Sequence, residues 1–337
     1  MFKKIIRGLT LASAITATAM GSAVAEEMKT LNFGVISTES SQNLKEIWDP
    51  FLADMSKQLN MEVKAFFAPD YAGIIQGMRF DKVDVAWYGN KSAMEAVDRA
   101  NGEIFAQTVD SEGNPGYWSH LIVHRDNNSL NSAEDVLKNA KSLTFGNGDP
   151  NSTSGYLVPG YYVFAQNNVE PAKAFKRTLN ASHETNGLAV ANKQVDVATI
   201  NSETIRRLEI TQPEKAKAIK VIWTSPLIPA DPIVWRKNLS EEAKGKIKQF
   251  FMTYGTEKAA EKKVLADLQW APFQASSNDQ LLPIRQLELF KAKQELQAKE
   301  GLNADERNSK IAEIDAQLQQ IKQRQEQLAG DKQAAAH

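Results

Sequence analysis

Val83-Asp84-Val85-Ala86 and Val195-Asp196-Val197-Ala198 are the same four residues, 112 positions apart. The offset holds elsewhere. Leu31-Asn32-Phe33-Gly34 lies 112 before Leu143-Thr144-Phe145-Gly146, Ser40 falls on Ser152, and Lys64 on Lys176. Agreement at four separate places without a gap points to a duplicated lobe rather than a short-period solenoid. The residues do not separate gene duplication from convergence on one supersecondary plan. In each copy a short apolar strand (31–36; 143–146) meets a polar turn, and an amphipathic helix follows (about 44–59; about 154–167). A second strand (63–67; 174–179), a second helix starting near Tyr71 or His183, and a third strand (83–87; 195–200) complete the unit. Strands alternating with helical patterns predict βαβαβ units and parallel sheets. The expected fold class is therefore α/β, with two pseudo-repeated lobes and a cleft between them. In open sheets of this kind ligands bind beyond the carboxyl ends of the strands, and those ends carry the chemistry-bearing residues in both copies.

Outside the repeats, residues 104–125 hold two strand-like runs around a turn at 111–116, and runs at 219–223 and 233–235 flank a Pro-rich loop at 225–232. These read as crossings between lobes. Lobe one is then 26–118 with 236–283, and lobe two is 119–235. Two crossings make a hinge that opens and closes on a ligand. Beyond Pro283 the composition turns to Gln, Lys, Glu and Ala, which predicts a helical C-terminal tail over 284–337. Asn303 with Glu306 forms a capping pair after Gly301. Ile311, Ile314, Leu318, Ile321, Gln325 and Leu328 then alternate three and four apart. That stripe is short for an autonomous coiled coil and suits either a helix lying along its own lobe or a contact between two copies.

The 337 residues carry 40 Lys+Arg, 41 Asp+Glu, four His and no Cys. A net charge of −1 argues against broad electrostatic binding of nucleic acid. Absent cysteine excludes thiol catalysis, disulfides, Cys-ligated zinc and iron–sulfur clusters. Lys3, Lys4 and Arg7 precede a short apolar run, Ala23-Val24-Ala25 offers a small-x-small cleavage site, and Glu26-Glu27 follow. Residues 1–25 thus read as a secretory signal peptide cleaved after Ala25. Its removal takes three positive charges and leaves 37 against 41, a net −4. With no cysteine to lipidate, the expected location is periplasmic, unanchored.

The chemistry gathers at strand ends. Gly148-Asp149-Pro150-Asn151-Ser152-Thr153-Ser154-Gly155 joins a strand to a helix. First-turn amides lack internal partners and face outward with the positive end of the helix dipole behind them. With the Ser152, Thr153 and Ser154 hydroxyls they would form a donor nest for a tetrahedral oxyanion; plain N-capping is the alternative. The Gly-Lys-Thr ending of a P-loop is missing. His183 starts the next helix of the same lobe and would donate to an anion there; its repeat counterpart is Tyr71. Tyr88, Tyr117 and Trp118 add aromatics near strand ends, Glu203 follows the third strand of lobe two, and Asp231 sits in the second crossing. Such a cleft suits a ligand that is anionic at one end and cationic at the other. No Gly-x-Ser-x-Gly elbow, His-Glu-x-x-His helix or Cys–His pair is present. His120 and His124 share a strand face too far apart for one metal, so neither catalytic residues, metal nor cofactor is expected. A secreted hydrolase or transferase, with His183 as acid and Glu203 or Asp231 as base, and a ligand-binding sensor module are the other readings.

The runs Phe66-Phe-Ala-Pro-Asp-Tyr-Ala-Gly-Ile-Ile-Gln-Gly-Met78, Asp84-Val-Ala-Trp-Tyr-Gly-Asn90, Gly148-Asp-Pro-Asn-Ser-Thr-Ser-Gly155 and Pro226-Leu-Ile-Pro-Ala-Asp-Pro-Ile-Val-Trp235 resemble the phosphonate-binding protein of bacterial ABC importers. The resemblance covers the mature chain to about Phe290, and the tail only loosely. It implies a two-lobed periplasmic binding protein fold and a membrane permease as partner. It implies that Ser152, Thr153 and His183 hold a phosphonate group, while Tyr71, Tyr117, Glu203 and Asp231 hold the ammonium end of 2-aminoethylphosphonate. It also implies a homodimer through the C-terminal helices.

Overall fold

The computed structural model describes residues 28–299 and 301–335, so the signal-peptide expectation for 1–25 lies outside the described residues. Leu31, Phe33 and Val35 alternate along β1 (Thr30–Val35) and are fully buried, as the two-residue period of a strand requires. β1 pairs in parallel with β2 (Glu62–Phe67) and β3 (Val85–Trp87). The chain continues through β4 (Gly102–Asp110), β5 (Gly116–Tyr117) and β6 (Ser119–His124). Lobe two repeats the parallel triplet as β7 (Thr144–Gly148), β8 (Arg177–Ala181) and β9 (Val197–Asn201). β10 (Ile219–Thr224), β11 (Ile228–Pro229), β12 (Pro232–Arg236) and β13 (Trp270–Ala275) follow. One sheet has the order β13-β4-β12-β3-β1-β2 and the other β10-β6-β9-β7-β8.

The duplication is visible in the register. Phe33 faces Val85 and Gly34 faces Ala86; Phe145 faces Val197 and Gly146 faces Ala198. The shared Asp explains why this quartet recurs. Asn32 N–H donates to Asp84 Oδ2 at 2.7 Å while Asp84 N–H donates to Asn32 O at 2.9 Å. Thr144 and Asp196 make the same pair of bonds at 2.7 and 3.1 Å. In each lobe the carboxylate thus clamps the entry of the first strand to that of the third. Three helices in lobe one begin at Ser41, Tyr71 and Asn90. Their counterparts begin at Thr153, His183 and Ser202, each at the same offset.

Four expectations need correction. Lys64 lies opposite Asn32, but Arg177 lies opposite the equivalent Thr144, so Lys176 is one residue out of step. A helical turn at Pro171–Ala174 takes up the first part of the expected 174–179 strand, and β8 starts later. The helix expected over 154–167 exists in extent but is wound wide, with π-helical turns at Thr153–Leu157 and Gly160–Phe164. Pro159, which has no N–H to donate, lies between them. Finally, β12 pairs with β3 and β4 in the first sheet, so the lobe boundary lies near 231 rather than between 235 and 236. Its apolar pattern is that of any buried strand, and only its partners assign it.

The two crossings pair with each other: β5 and β11 form a two-stranded antiparallel ribbon, Tyr117 opposite Ile228. Helix Leu282–Ala298 leaves lobe one and lies against both lobes. Ile284 and Leu287 pack with Tyr117, Leu157, Val158 and Ile228. Arg285 pairs with Asp98, and Glu288 with Lys91 at 3.2 Å, both in lobe one. Gly301, at φ +74, turns the chain into helix Ala304–Ala335, which packs back on its predecessor. The 311–328 stripe is the half-buried side of that helix, with Ile321 buried. The core of lobe one is an aromatic cluster centred on Phe51, whose ring lies 5.1–6.3 Å from those of Phe33, Trp48, Phe250, Phe251, Tyr254 and Phe273. Replacing Phe51 by Ala should cost about 3–5 kcal/mol of unfolding free energy, by lost transfer energy plus a cavity. A chemical denaturation curve displaced by less than about 1 kcal/mol would show that the cluster collapses to fill the gap.

Candidate functional site

The cleft site grows from the helix starts. β7 ends at Gly148, and a Cβ added there would sit 2.5 Å from the Gly155 backbone. Only glycine lets the strand end lie flat against the following helical turn. That approach presents Ser152, Thr153 and Ser154, each at most 3 % exposed. Ser152 caps the turn through Gly155 N–H at 2.9 Å, so the plain capping role is real for this residue. His183, first residue of its helix, brings Nε2 to 3.3 Å from Ser152 Oγ and 3.2 Å from Ser154 Oγ. Its Nδ1 is buried without a protein partner. Burial without a counter-charge pushes the imidazole down to about 4, so it is neutral in the ligand-free protein.

Lobe one closes the site from the other side. Tyr71, at the start of its helix, lies beside Ser152, and Tyr117, on the crossing ribbon, lies beside Thr153 and Asp231. Both phenols are pushed up by burial. Asp231 sits in the turn between β11 and β12 and is held by a reciprocal pair with Thr108, Asp231 N–H to Thr108 Oγ1 at 3.1 Å and Thr108 N–H to Asp231 O at 2.8 Å. Its Oδ1 has no protein partner, and neither does the nearby Trp87 Nε1. Glu203, second residue of helix Ser202–Thr211, lies close enough to raise the Asp231 carboxyl further after burial has already pushed it well up. Burial pushes the Glu203 carboxyl itself up to about 7, with Arg206 and Arg207 pulling it down and Asp110 opposing them. A small cavity lined by Thr38, Glu39, Trp87, Asn201, Glu203 and Arg207 adjoins this end.

The eight residues expected to contact a ligand therefore meet in one interlobe cluster. Hydroxyls and an imidazole occupy one end; two desolvated carboxylates, a phenol and an indole occupy the other. Tyr88 does not join them. It is fully buried and donates to Ile74 O at 3.0 Å, a core role. Sequence reasoning passed over Trp87, Asp149 and Glu184 as site residues. Trp87 shares a strand with the repeat quartet, which is the signal that could have drawn attention to it. Asp149 and Glu184 adjoin Ser152 and His183 in sequence, but their partners lie across the cleft. Among the described residues no group of three or more Asp, Glu or His side chains is placed to hold a metal.

The chain matches, over residues 33–281, the family described as ABC transporter, phosphonate, periplasmic substrate-binding protein. It is 62% identical over 323 residues to the phosphonates-binding periplasmic protein of Escherichia coli strain K12, covering 95% of each chain. A crystal structure of a binding-protein component of an ABC phosphonate transporter from Pseudomonas aeruginosa superposes with a TM-score of 0.88 at 67% identity, over 90% of this chain and all of that one. A phosphate-import protein of Mycolicibacterium smegmatis is 27% identical over 66% of this chain and 71% of its own.

The raised Glu203 carboxyl has a consequence for stability that needs no ligand. The folded chain holds a proton up to about pH 7 that the unfolded chain releases near 4.5. Glu203 therefore contributes nothing unfavourable below about 4.5, destabilises increasingly as pH rises to about 7, and is constant above. Glu203→Gln should melt with the parent at about pH 4.5 and above it at about pH 8. Parallel melting curves across that range would contradict the desolvated placement.

Proposed function

The chain belongs to the family of periplasmic phosphonate-binding proteins of ABC transporters, and we propose that within this family it captures 2-aminoethylphosphonate and delivers it, unchanged, to a membrane permease. It acts in the periplasm after cleavage following Ala25, without enzymatic turnover. A homodimer through the C-terminal helices remains compatible with the tail, because the outer side of helix Ala304–Ala335 is exposed.

The observation that carries the substrate is the pairing of Asp231 and Glu203 in a cleft already shared with an anion-suited nest. Two like carboxylates, both pushed up by burial, form an arrangement that a cation relieves. An ammonium reaching Asp231 and Glu203, beside Tyr117 and the Trp87 indole, would supply that charge, and the unpartnered Asp231 Oδ1 would accept from it. At the far end Ser152, Thr153, Ser154 and His183 would donate to the phosphonate oxygens, with Tyr71 between the two ends. The phosphonate dianion would raise the His183 imidazole from its depressed value, so that a charged donor forms only with ligand bound. Inorganic phosphate satisfies one end and leaves the carboxylates uncompensated, which supports selectivity for an amine-bearing ligand. The relative named for phosphate import shows that ligands differ among such proteins.

Calorimetry on the cleaved protein tests this directly. Glu203→Ala and Asp231→Ala should each weaken 2-aminoethylphosphonate about tenfold to a hundredfold, the value of a charge-assisted hydrogen bond, and methylphosphonate far less. Equal losses for both ligands would remove the ammonium assignment, and phosphate binding as tightly as 2-aminoethylphosphonate would remove the selectivity. The pH dependence separates the ligands as well. Below about pH 7 Glu203 is protonated in the ligand-free cleft. Binding of the amine must then expel a proton, so affinity for 2-aminoethylphosphonate should fall relative to methylphosphonate as pH drops below about 7. Phosphorus NMR of the protein incubated with 2-aminoethylphosphonate should show one unchanged resonance; turnover would refute a pure carrier.

A further inference from the structure

Lobe one turns three helix N-termini toward the cleft, and lobe two supplies an oxygen to each. At helix Ser41–Leu59, Glu184 Oε2 accepts from Ser40 N–H at 3.0 Å and Oε1 from Asn43 Nδ2 at 2.6 Å, while Glu184 N–H donates to Thr38 O at 3.2 Å. At helix Tyr71–Arg79, Asp149 Oδ2 accepts from Tyr71 N–H at 3.2 Å, and its Oδ1 is fixed by Asn151 N–H at 2.7 Å. Helix Asn90–Arg99 is preceded by Gly89, which has no capping side chain; Thr153 Oγ1 accepts from Lys91 N–H at 2.9 Å. The local caps Ser40 and Asp70 satisfy Asn43 and Gly73 N–H only, so the oxygens from lobe two take amides that the local caps leave.

Helix N-termini attract anions through orphan amides and the dipole behind them. Both lobes therefore begin with ends that suit a phosphonate group, and something must decide between them. Asp149 lies three residues before Ser152 and Glu184 directly after His183. In a lobe two standing apart, their charges flank the nest. Seated on the helix ends of lobe one, each carboxylate is met by donors.

We propose that Asp149 and Glu184 are positioning residues for ligand capture: built-in anions that occupy the helix ends of lobe one as the lobes close. They reserve the ligand's anionic group for the nest of lobe two and hold the closed state through bonds that exist only across the cleft. Closure and capture are then coupled, because seating the two carboxylates gives them donors that offset their charge at the margin of the nest. A ligand held this way leaves slowly without being touched by either residue.

Dissociation kinetics of methylphosphonate test the proposal, followed by intrinsic tryptophan fluorescence. This ligand has no amine, so a failure of the carboxylate-end assignment leaves the test standing. Glu184→Ala and Asp149→Ala should each release methylphosphonate about tenfold faster, with association changed much less. Glu184→Gln and Asp149→Asn, which keep an uncharged acceptor, should fall between, and they serve if an alanine variant folds poorly. Small-angle scattering at saturating methylphosphonate should show the Asp149→Ala/Glu184→Ala double variant more expanded than the parent. Dissociation within about twofold of the parent in all variants would overturn the proposal. So would an early-melting ligand-free variant that releases ligand at the parental rate, since that describes a structural role alone.

Discussion

Parallel strand pairing governs this molecule. A parallel neighbour can be reached only by a crossover, so each helix after β1, β2 and β3, and after β7, β8 and β9, starts at the same edge of its sheet. The carboxylates of Asp84 and Asp196 hold the first and third strands of each triplet in register by identical pairs of bonds. Six helix starts, three per lobe at a constant spacing of 112 residues, are the outcome. The cleft is built from those starts. Ser152 to Ser154, His183, Tyr71 and Glu203 are all within the first turn of a helix or immediately before it.

The electrostatics follow from the burial of that meeting place. Burial lowers the His183 imidazole and raises the Asp231 and Glu203 carboxyls, so the ligand-free cleft favours neutral forms at both ends. A zwitterionic ligand reverses each preference where its own charge lies. The net −1 of the sequence says little about this, because local donors and carboxylates a few ångströms away outweigh a diffuse, screened total charge. On the proposed function, the cleft is a place where stability is given up for binding, with Glu203 the clearest instance.

The lobes are tied more firmly than a two-crossing hinge requires. The crossings pair as the β5–β11 ribbon, and helix Leu282–Ala298 rests on that ribbon while bonding lobe one through Arg285 and Glu288. Any opening motion must bend the ribbon beside Tyr117, which itself reaches Thr153 and Asp231. On the proposed function, ligand contact and hinge geometry would share a residue. The tail, whose apolar stripe read equally as a lobe contact or a contact between copies, uses that stripe within its own chain.

Sequence alone determined the α/β class, the duplication, the helix starts at Tyr71 and His183, and the eight clustered residues. These are local or periodic signals: strand alternation, capping serines, and a fixed offset that survives because both copies solve the same packing problem. The resemblance to phosphonate-binding proteins added the family, and with it the ligand and roles proposed above. Tertiary structure decided the rest. It placed β12 in lobe one, where apolar strands look alike and only pairing partners discriminate. It wound the 153–164 turns wide around Pro159, against the flat approach of Gly148 to Gly155. And it set Glu184 and Asp149 on helix ends 144 and 78 residues away in sequence. No pattern in a linear chain marks a carboxylate as the cap of a helix in the opposite lobe. That contact comes into being only when two separately folded surfaces meet.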